Sequence, residues 1–312
     1  MSDLAALTCH GRPCMADANA FPIPRGLGWW NRRADGAQWL EALPRLVLEC
    51  AENWCLSVFP PYEPGTLAWV APVDLADGTP AELKINCADA NAHYEADALR
   101  WWDGNGAVSL LAEDPTRGAL LIERCESGEP LSSVEREEDV CAISADILAR
   151  LWSIERQHPQ LPSLEEVVHQ WLLEIHTNAP AVSQLCPAVL IDAATSDGLD
   201  LVASQPDVTL LHQDLHCDNV LSNGGSWLAI DPKPMIGERA LDVAPILADR
   251  REALRRAAHP VSVVRRRLDF LVDLSLDRDR VARWALVQTL GRALTPPIDL
   301  EALAIAQLLA DL

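Results

Sequence analysis

No run of about eighteen apolar residues occurs in the 312-residue chain, so no membrane span is expected. Met1 to Cys14 lacks the basic-then-apolar layout of an export signal, which makes the cytoplasm the expected location. No C-x-x-C string appears. The nine cysteines (Cys9, Cys14, Cys50, Cys55, Cys87, Cys125, Cys141, Cys186, Cys217) are odd in number and scattered, which argues against a disulfide frame or a zinc ribbon and for reduced thiols. Basic residues are scarce: 25 Lys and Arg face 46 Asp and Glu, a formal charge of -21. That balance repels nucleic acid and attracts a cationic small molecule, although an acidic surface also serves solubility alone. Internal repeats and low-complexity tracts are missing. So is any G-x-x-x-x-G-K-[ST] string, which removes the P-loop kinases.

With 49% hydrophobic residues, the chain can bury one large core or two smaller ones. Gln38 to Cys50 has helical spacing. Trp54 to Leu83 reads as short apolar runs cut by Pro64-Gly65 and Asp77-Gly78, the pattern of antiparallel strands joined by hairpins. A helix is expected over Ala90 to Trp102, then strands over Ala107 to Ala112 and Ala119 to Glu123. Helices over Glu138 to Gln157 and within Leu164 to Ala193 make the second half mostly helical. The expected fold is α+β and two-lobed, with a small antiparallel-sheet lobe over 1–125 and a larger helical lobe over 126–312.

The chemistry concentrates in Leu210-Leu-His-Gln-Asp-Leu-His-Cys-Asp-Asn-Val-Leu, followed by a Gly224-Gly225 turn and Trp227-Leu-Ala-Ile-Asp231. Phosphoryl transfer needs a carboxylate to orient and deprotonate the attacking hydroxyl, and oxygen ligands to hold magnesium against the phosphates. His212, Asp214, Asn219 and Asp231 follow the order of the kinase template, H-x-D-x-x-x-x-N and a later Asp. His212, His216 and Cys217 could instead ligate zinc, but no fourth ligand stands at a supporting spacing. The eleven tryptophans read as packing residues, and Asp218 as a solvated or substrate-side carboxylate.

The chain resembles the aminoglycoside/hydroxyurea antibiotic-resistance kinases, a family that includes streptomycin 6-phosphotransferases. The resemblance rests on the order of several strings: Trp39-Leu-Glu-Ala-Leu-Pro, Asp77-Gly-Thr-Pro-Ala-Glu-Leu-Lys, Leu120-Leu-Ile-Glu-Arg-Cys, the His212 segment, Trp227-Leu-Ala-Ile-Asp-Pro-Lys and Ile236-Gly-Glu-Arg-Ala-Leu-Asp-Val-Ala-Pro. It implies a protein-kinase-like fold, ATP and Mg2+ as cofactors, and a small, cationic acceptor such as streptomycin. The alternatives are a kinase of the same fold for hydroxyurea or another small metabolite, and a catalytically weak nucleotide-binding pseudokinase. No nucleic-acid or membrane partner is expected, and the protein would be a monomer or weak dimer. By the same resemblance Asp214 is the catalytic base, His212 braces its loop, and Asn219 and Asp231 bind magnesium. Lys84 contacts the α- and β-phosphates with Glu95 as its ion-pair partner, the main chain of Glu123 and Cys125 reads adenine, and Asp242 is structural. Two departures stand out. Gln213 occupies a position where many relatives have Gly, and the phosphate-covering turn Phe59-Pro-Pro-Tyr-Glu-Pro-Gly-Thr has three prolines, hence few free amides.

Overall fold

The computed structural model describes residues 21–87, 90–154 and 159–312, without the side chains of 90–93. Cys9, Cys14 and the expected helix end at Gln157 lie outside these residues. Two compact units are present. One runs to Gly104 and takes in Val108–Arg124, and the other comprises Asn105–Ala107 and Cys125–Leu312.

In the first unit, helix α1 (Ala34–Trp54) outruns the expected stretch at both ends. Its Trp39, Leu40, Leu43, Val47 and Cys50 recur at helical spacing and are all buried. They share a core with the inner face of a five-stranded antiparallel sheet: β1 (Ser57–Val58), β2 (Ala68–Asp74), β3 (Pro80–Asn86), β4 (Leu110–Asp114) and β5 (Ala119–Glu123), in the order β1-β2-β3-β5-β4. Helix α2 (Ala90–Trp102) links β3 to β4. Side chains alternate across a strand, so Ala81, Leu83 and Ile85 enter the core while Glu82, Lys84 and Asn86 take the other face. Each buried Leu or Ile contributes about 2 kcal/mol, which fixes the register and with it the direction of Lys84. The strand expected from Ala107 begins instead at Leu110, because Gly104 and Gly106 adopt φ of 80° and 90° and turn the chain first.

The second unit is mainly helical but also holds five short strands. Its elements begin with β6 (Ser127–Pro130), α3 (Glu137–Trp152), α4 (Leu164–Asn178), α5 (Ala188–Ala203) and β7 (Thr209–Leu211). The chain continues through β8 (Val220–Asn223), β9 (Ser226–Ala229), β10 (Met235–Gly237), α6 (Arg239–Asp242) and α7 (Ala244–Leu247). It ends with α8 (Arg251–Arg256), α9 (Pro260–Leu271), α10 (Arg278–Leu294) and α11 (Leu300–Leu309). Helix α10 is the axis of this unit, touching α4, α5, α7 and α11. Gly291 permits its close approach to α4, since an added Cβ would meet the Cβ of Trp171 at 2.9 Å.

Cys50, Cys87, Cys125, Cys141, Cys186 and Cys217 are free, whereas Cys55 is disulfide-bonded, contrary to the expectation of reduced thiols throughout. No helix among the described residues is long and apolar enough to cross a membrane.

Candidate active site

Lys84 stands in the interior of β3, opposite Val70 of β2 and Leu120 of β5. Its Nζ lies 2.7 Å from Oε1 of Glu95 on α2, and Nδ2 of Asn86 donates to Oε2 of the same carboxylate at 3.4 Å. Lys84 and Glu95 are only 6% and 4% exposed. A buried ion pair offsets its desolvation cost only with good geometry and added hydrogen bonds, and Asn86 supplies one. The nearby carboxylates are engaged elsewhere: Asp97 with Arg100 at 2.7 Å, and Glu82 with the Tyr62 hydroxyl at 2.7 Å. Glu123, at the end of β5, accepts from the Ser109 amide and hydroxyl at 3.0 and 2.9 Å, so its side chain ties the sheet together. Cys125 is half-buried at the start of the second unit. In the proline-rich turn the Phe59 and Tyr62 amides bond to Pro72 and Val70 carbonyls of β2, while Gly26 N–H and Trp29 Nε1–H donate to the Pro64 and Thr66 carbonyls.

In the second unit, buried β7 leads into the loop that carries His212, Asp214 and Asn219, and β8 and β9 form a hairpin around Gly224 and Gly225. Both glycines have positive φ, 54° and 89°, as the tight two-residue turn requires. Pairing of Val220 with Ala229 sets Asn219 beside residue 230. The Ile230 N–H donates to the Asn219 carbonyl at 2.9 Å, and the Ile230 carbonyl faces His212 Nε2 at 3.1 Å. Ile230 thus ties this loop, through both its N–H and its carbonyl, to the chain just before Asp231. Asp231 lies two residues past β9, with φ of 56°.

Asp242 of α6 fixes the start of the loop. Its Oδ2 accepts from the His212 amide at 3.1 Å and Trp152 Nε1 at 3.0 Å, and its Oδ1 from the Gln213 amide at 2.5 Å. Burial pushes the Asp242 carboxyl up to about 6, against the pull of these three donors. Gln213 holds φ of 65°, which accounts for glycine suiting this position. Its carbonyl is held by Gln288 Nε2 at 3.0 Å and Arg292 Nη2 at 2.8 Å, one turn apart on α10.

Asp214 is 4% exposed. Its Oδ1 receives Arg292 Nη1 at 2.6 Å and its Oδ2 receives Lys233 Nζ at 2.5 Å. Burial alone would raise its pKa, but Arg292 and Lys233 overcome that and hold the carboxylate well below the usual range. Local pattern points to neither cation: Lys233 lies two residues after Asp231 in Trp227-Leu-Ala-Ile-Asp-Pro-Lys, and Arg292 lies 78 residues from Asp214.

Burial pushes the His212 imidazole down to about 4 despite the nearby Asp214 and Asp231 carboxylates, so the ring is neutral. Its Nε2 carries the proton toward Ile230 while Nδ1 accepts from the Asp214 amide at 3.3 Å. The unfolded side chain titrates near 6.5, so between that pH and 4 the unfolded chain binds the additional proton. Stability from this group is therefore complete above pH 6.5 and falls, by up to about 3 kcal/mol, as the pH drops toward 4. Asp242, whose raised pKa acts in the opposite direction, offsets part of this loss, so the test is the difference between proteins: from pH 7.5 to 5 the native stability from urea midpoints should fall by about 2 kcal/mol more than that of His212→Gln.

A cavity of about 620 Å³ opens within the second unit, lined in part by His216, Asp218, Asp249, Gln288 and Arg292. Its volume suits a small ligand. The arginines around it are paired: Arg251 with Asp299 and Arg256 with Glu252 at 2.6 Å each, Arg250 with Glu137 at 3.3 Å, and Arg292 with Asp214. Asp218 and Asp249 take neutral donors instead, the Ser132 hydroxyl at 2.5 Å and the Cys217 and Arg250 amides at 2.6 Å each. The wall therefore offers negative charge to a bound molecule.

Among the described residues no group of three or more His, Cys, Asp or Glu could hold a metal ion. Magnesium has lighter demands, often one or two protein oxygens completed by phosphates and water. The Asn219 amide donates through Nδ2 to the Asp214 carbonyl at 3.0 Å, which leaves Oδ1 as the acceptor; with the Asp231 carboxylate it forms a donor set that fits this ion.

Residues 62–294 match the family model of aminoglycoside/hydroxyurea antibiotic resistance kinases. The chain is 33% identical over 306 residues to a streptomycin 6-kinase of Streptomyces glaucescens, covering 95% of this chain and 99% of the relative. It is 38% identical over 264 residues to a hydroxyurea phosphotransferase of Kitasatospora aureofaciens, covering 83% and 73%. Among solved structures it resembles the aminoglycoside phosphotransferase APH(4)-Ia in a ternary complex with AMP-PNP and hygromycin B. That match has a TM-score of 0.62 at 14% identity and covers 86% of this chain and 97% of the other, a likeness of fold.

Proposed function

This chain belongs to the aminoglycoside/hydroxyurea antibiotic resistance kinase family, and we propose that it transfers the γ-phosphoryl group of ATP to a hydroxyl of a small cationic acceptor, with streptomycin the leading candidate. The observation that supports this reading is the hydrogen-bond network that ties the Asn219 side chain to Asp214, and Asn219 and His212 to Ile230, the residue just before Asp231. Asp214 accepts the hydroxyl proton while the acceptor oxygen bonds to the γ-phosphorus and the bond to the departing ADP breaks. Asn219 and Asp231 would hold magnesium, which when bound neutralises phosphate charge. His212, neutral and doubly bonded, keeps the loop in shape. Lys84, set by Glu95, meets the α- and β-phosphates, and the main chain of Glu123 and Cys125 reads adenine. In this assignment residues 1–125 bind the nucleotide and 126–312 carry the catalytic loop and the acceptor cavity.

Two observations favour a cationic acceptor: the chain's formal charge of -21, and a cavity whose arginines are neutralised while Asp218 and Asp249 are not. A second reading, transfer to hydroxyurea or a related small molecule, is favoured by the 38% identity to the hydroxyurea enzyme. Magnesium-dependent ADP formation by the purified protein tests both. Streptomycin should stimulate turnover at least tenfold above the acceptor-free rate, and EDTA should abolish it. Stimulation by hydroxyurea alone would select the second reading, and nucleotide binding without turnover on any acceptor would point to a pseudokinase.

A further inference from the structure

The contact between Lys233 and Asp214 is unusual for a catalytic base, because a cation so close weakens the carboxylate's pull on a proton. The two cations on Asp214 differ in how they are held. Arg292 is anchored from α10 by bonds to both the Asp214 carboxylate and the Gln213 carbonyl. Lys233 sits in the turn after Asp231, its main-chain N–H bonded to the His212 carbonyl at 3.0 Å, and its side chain is 44% exposed with its ammonium, among the described residues, on Asp214 Oδ2. Arg292 is a fixed counter-charge, and Lys233 is a cation on a flexible four-carbon stem.

Composition adds an independent observation. Of the 25 basic residues, 23 are arginine and two are lysine, and the two are Lys84 and Lys233. Everywhere else that this chain needs a positive charge it uses a planar guanidinium. The two exceptions suit a compact, freely rotating ammonium, the form in which lysine serves phosphate as a point charge.

We propose that Lys233 is a second catalytic residue, whose ammonium leaves Asp214 Oδ2 for the transferring phosphoryl group when nucleotide binds. This rests on the kinase reading above. A hydroxyl bonded to Asp214 has its oxygen about 2.7 Å from the carboxylate, and the phosphorus it attacks stands about 3–3.5 Å beyond. An ammonium that starts on the same carboxylate needs only a rotation of its stem to reach the phosphoryl oxygens. The oxygen–phosphorus bond forms, the bond to ADP breaks, and the proton passes to Asp214. Lys233 keeps its protons and offsets the charge on the equatorial oxygens.

A rate and a footprint together test this. Removing one preorganised charge stabiliser costs about 10²–10³ in kcat, so Lys233→Ala should lose that much with acceptor KM within about threefold, while Lys233→Arg should retain at least about a tenth of the native rate. A lysine that only weakened the base would give the opposite sign, with kcat unchanged or raised in Lys233→Ala. For the footprint, acetic anhydride is applied and peptides are mapped by mass spectrometry. Lys84 is buried against Glu95, so Lys233 is the accessible lysine amine. Magnesium with a non-hydrolysable ATP analogue should slow its acetylation at least fivefold, and magnesium with adenosine should not. A native-like kcat in Lys233→Ala, an Arg variant no better than the Ala variant, or equal acetylation with and without the analogue overturns the proposal. Native turnover that is lost in Asp214→Asn but kept in Lys233→Ala would sink Lys233 alone. No native turnover on any acceptor would sink the kinase reading, and Lys233 with it.

Discussion

Asp214→Asn is expected to lower kcat by about 10³-fold while nucleotide affinity changes little, because a general base contributes about 10²–10⁴ and does not itself hold the nucleotide. The amide keeps the shape of the side chain but cannot take the hydroxyl proton. Fold stability should fall by only about 1 kcal/mol, since the two cations left behind are partly exposed and water can screen them. The contrasting variant is Asp231→Ala, which should lose magnesium-dependent nucleotide binding as well as turnover. Single-turnover rates, together with nucleotide titrations with and without magnesium, separate the two roles. Turnover in Asp214→Asn within tenfold of the native protein would remove Asp214 from the role of base.

Asp242→Ala should be the most damaging single change to stability in the site. It strips the acceptor from three buried donors, the His212 and Gln213 amides and the Trp152 indole. Each orphaned donor costs about 1–3 kcal/mol, so a loss of roughly 3–9 kcal/mol is expected from urea midpoints. The effect reaches function because Gln213 occupies a left-handed conformation, which a non-glycine residue holds only when its surroundings impose it. Without Asp242, the Gln288 and Arg292 bonds to the Gln213 carbonyl remain but the amide side is released, and Asp214 should lose its aim. Asp242→Asn should fall between, because its oxygen can still serve one amide while its NH2 is turned against another. An Asp242→Ala midpoint within about 1 kcal/mol of native would mean that water, not Asp242, satisfies these donors.

Gln213 illustrates how far the sequence carries. Its departure from glycine was visible as a letter, but the φ of 65° that makes the departure costly is a property of the folded loop. Gly224-Gly225, by contrast, announced its turn from residue type alone, and the hairpin it closes is what seats Asn219 beside Ile230. The alternation in β3 sends Lys84 to the face opposite the apolar core, a direction that only the folded sheet displays.

What the sequence by itself determined is the local order: the α1 face, the five strands of the first unit, the His-Asp-Asn loop, and the Asp that follows the hairpin. These are written in backbone periodicities and turn preferences that act over a few residues, so one chain suffices to read them. Only the tertiary structure decided that Arg292 and Lys233 both close on Asp214, that Asp242 clamps the loop from 30 residues away, and that a cavity with paired arginines opens beside it. Those facts depend on how α6 and α10 dock against the loop, and docking is settled by the fit of whole surfaces, for which no short stretch of sequence has a signal.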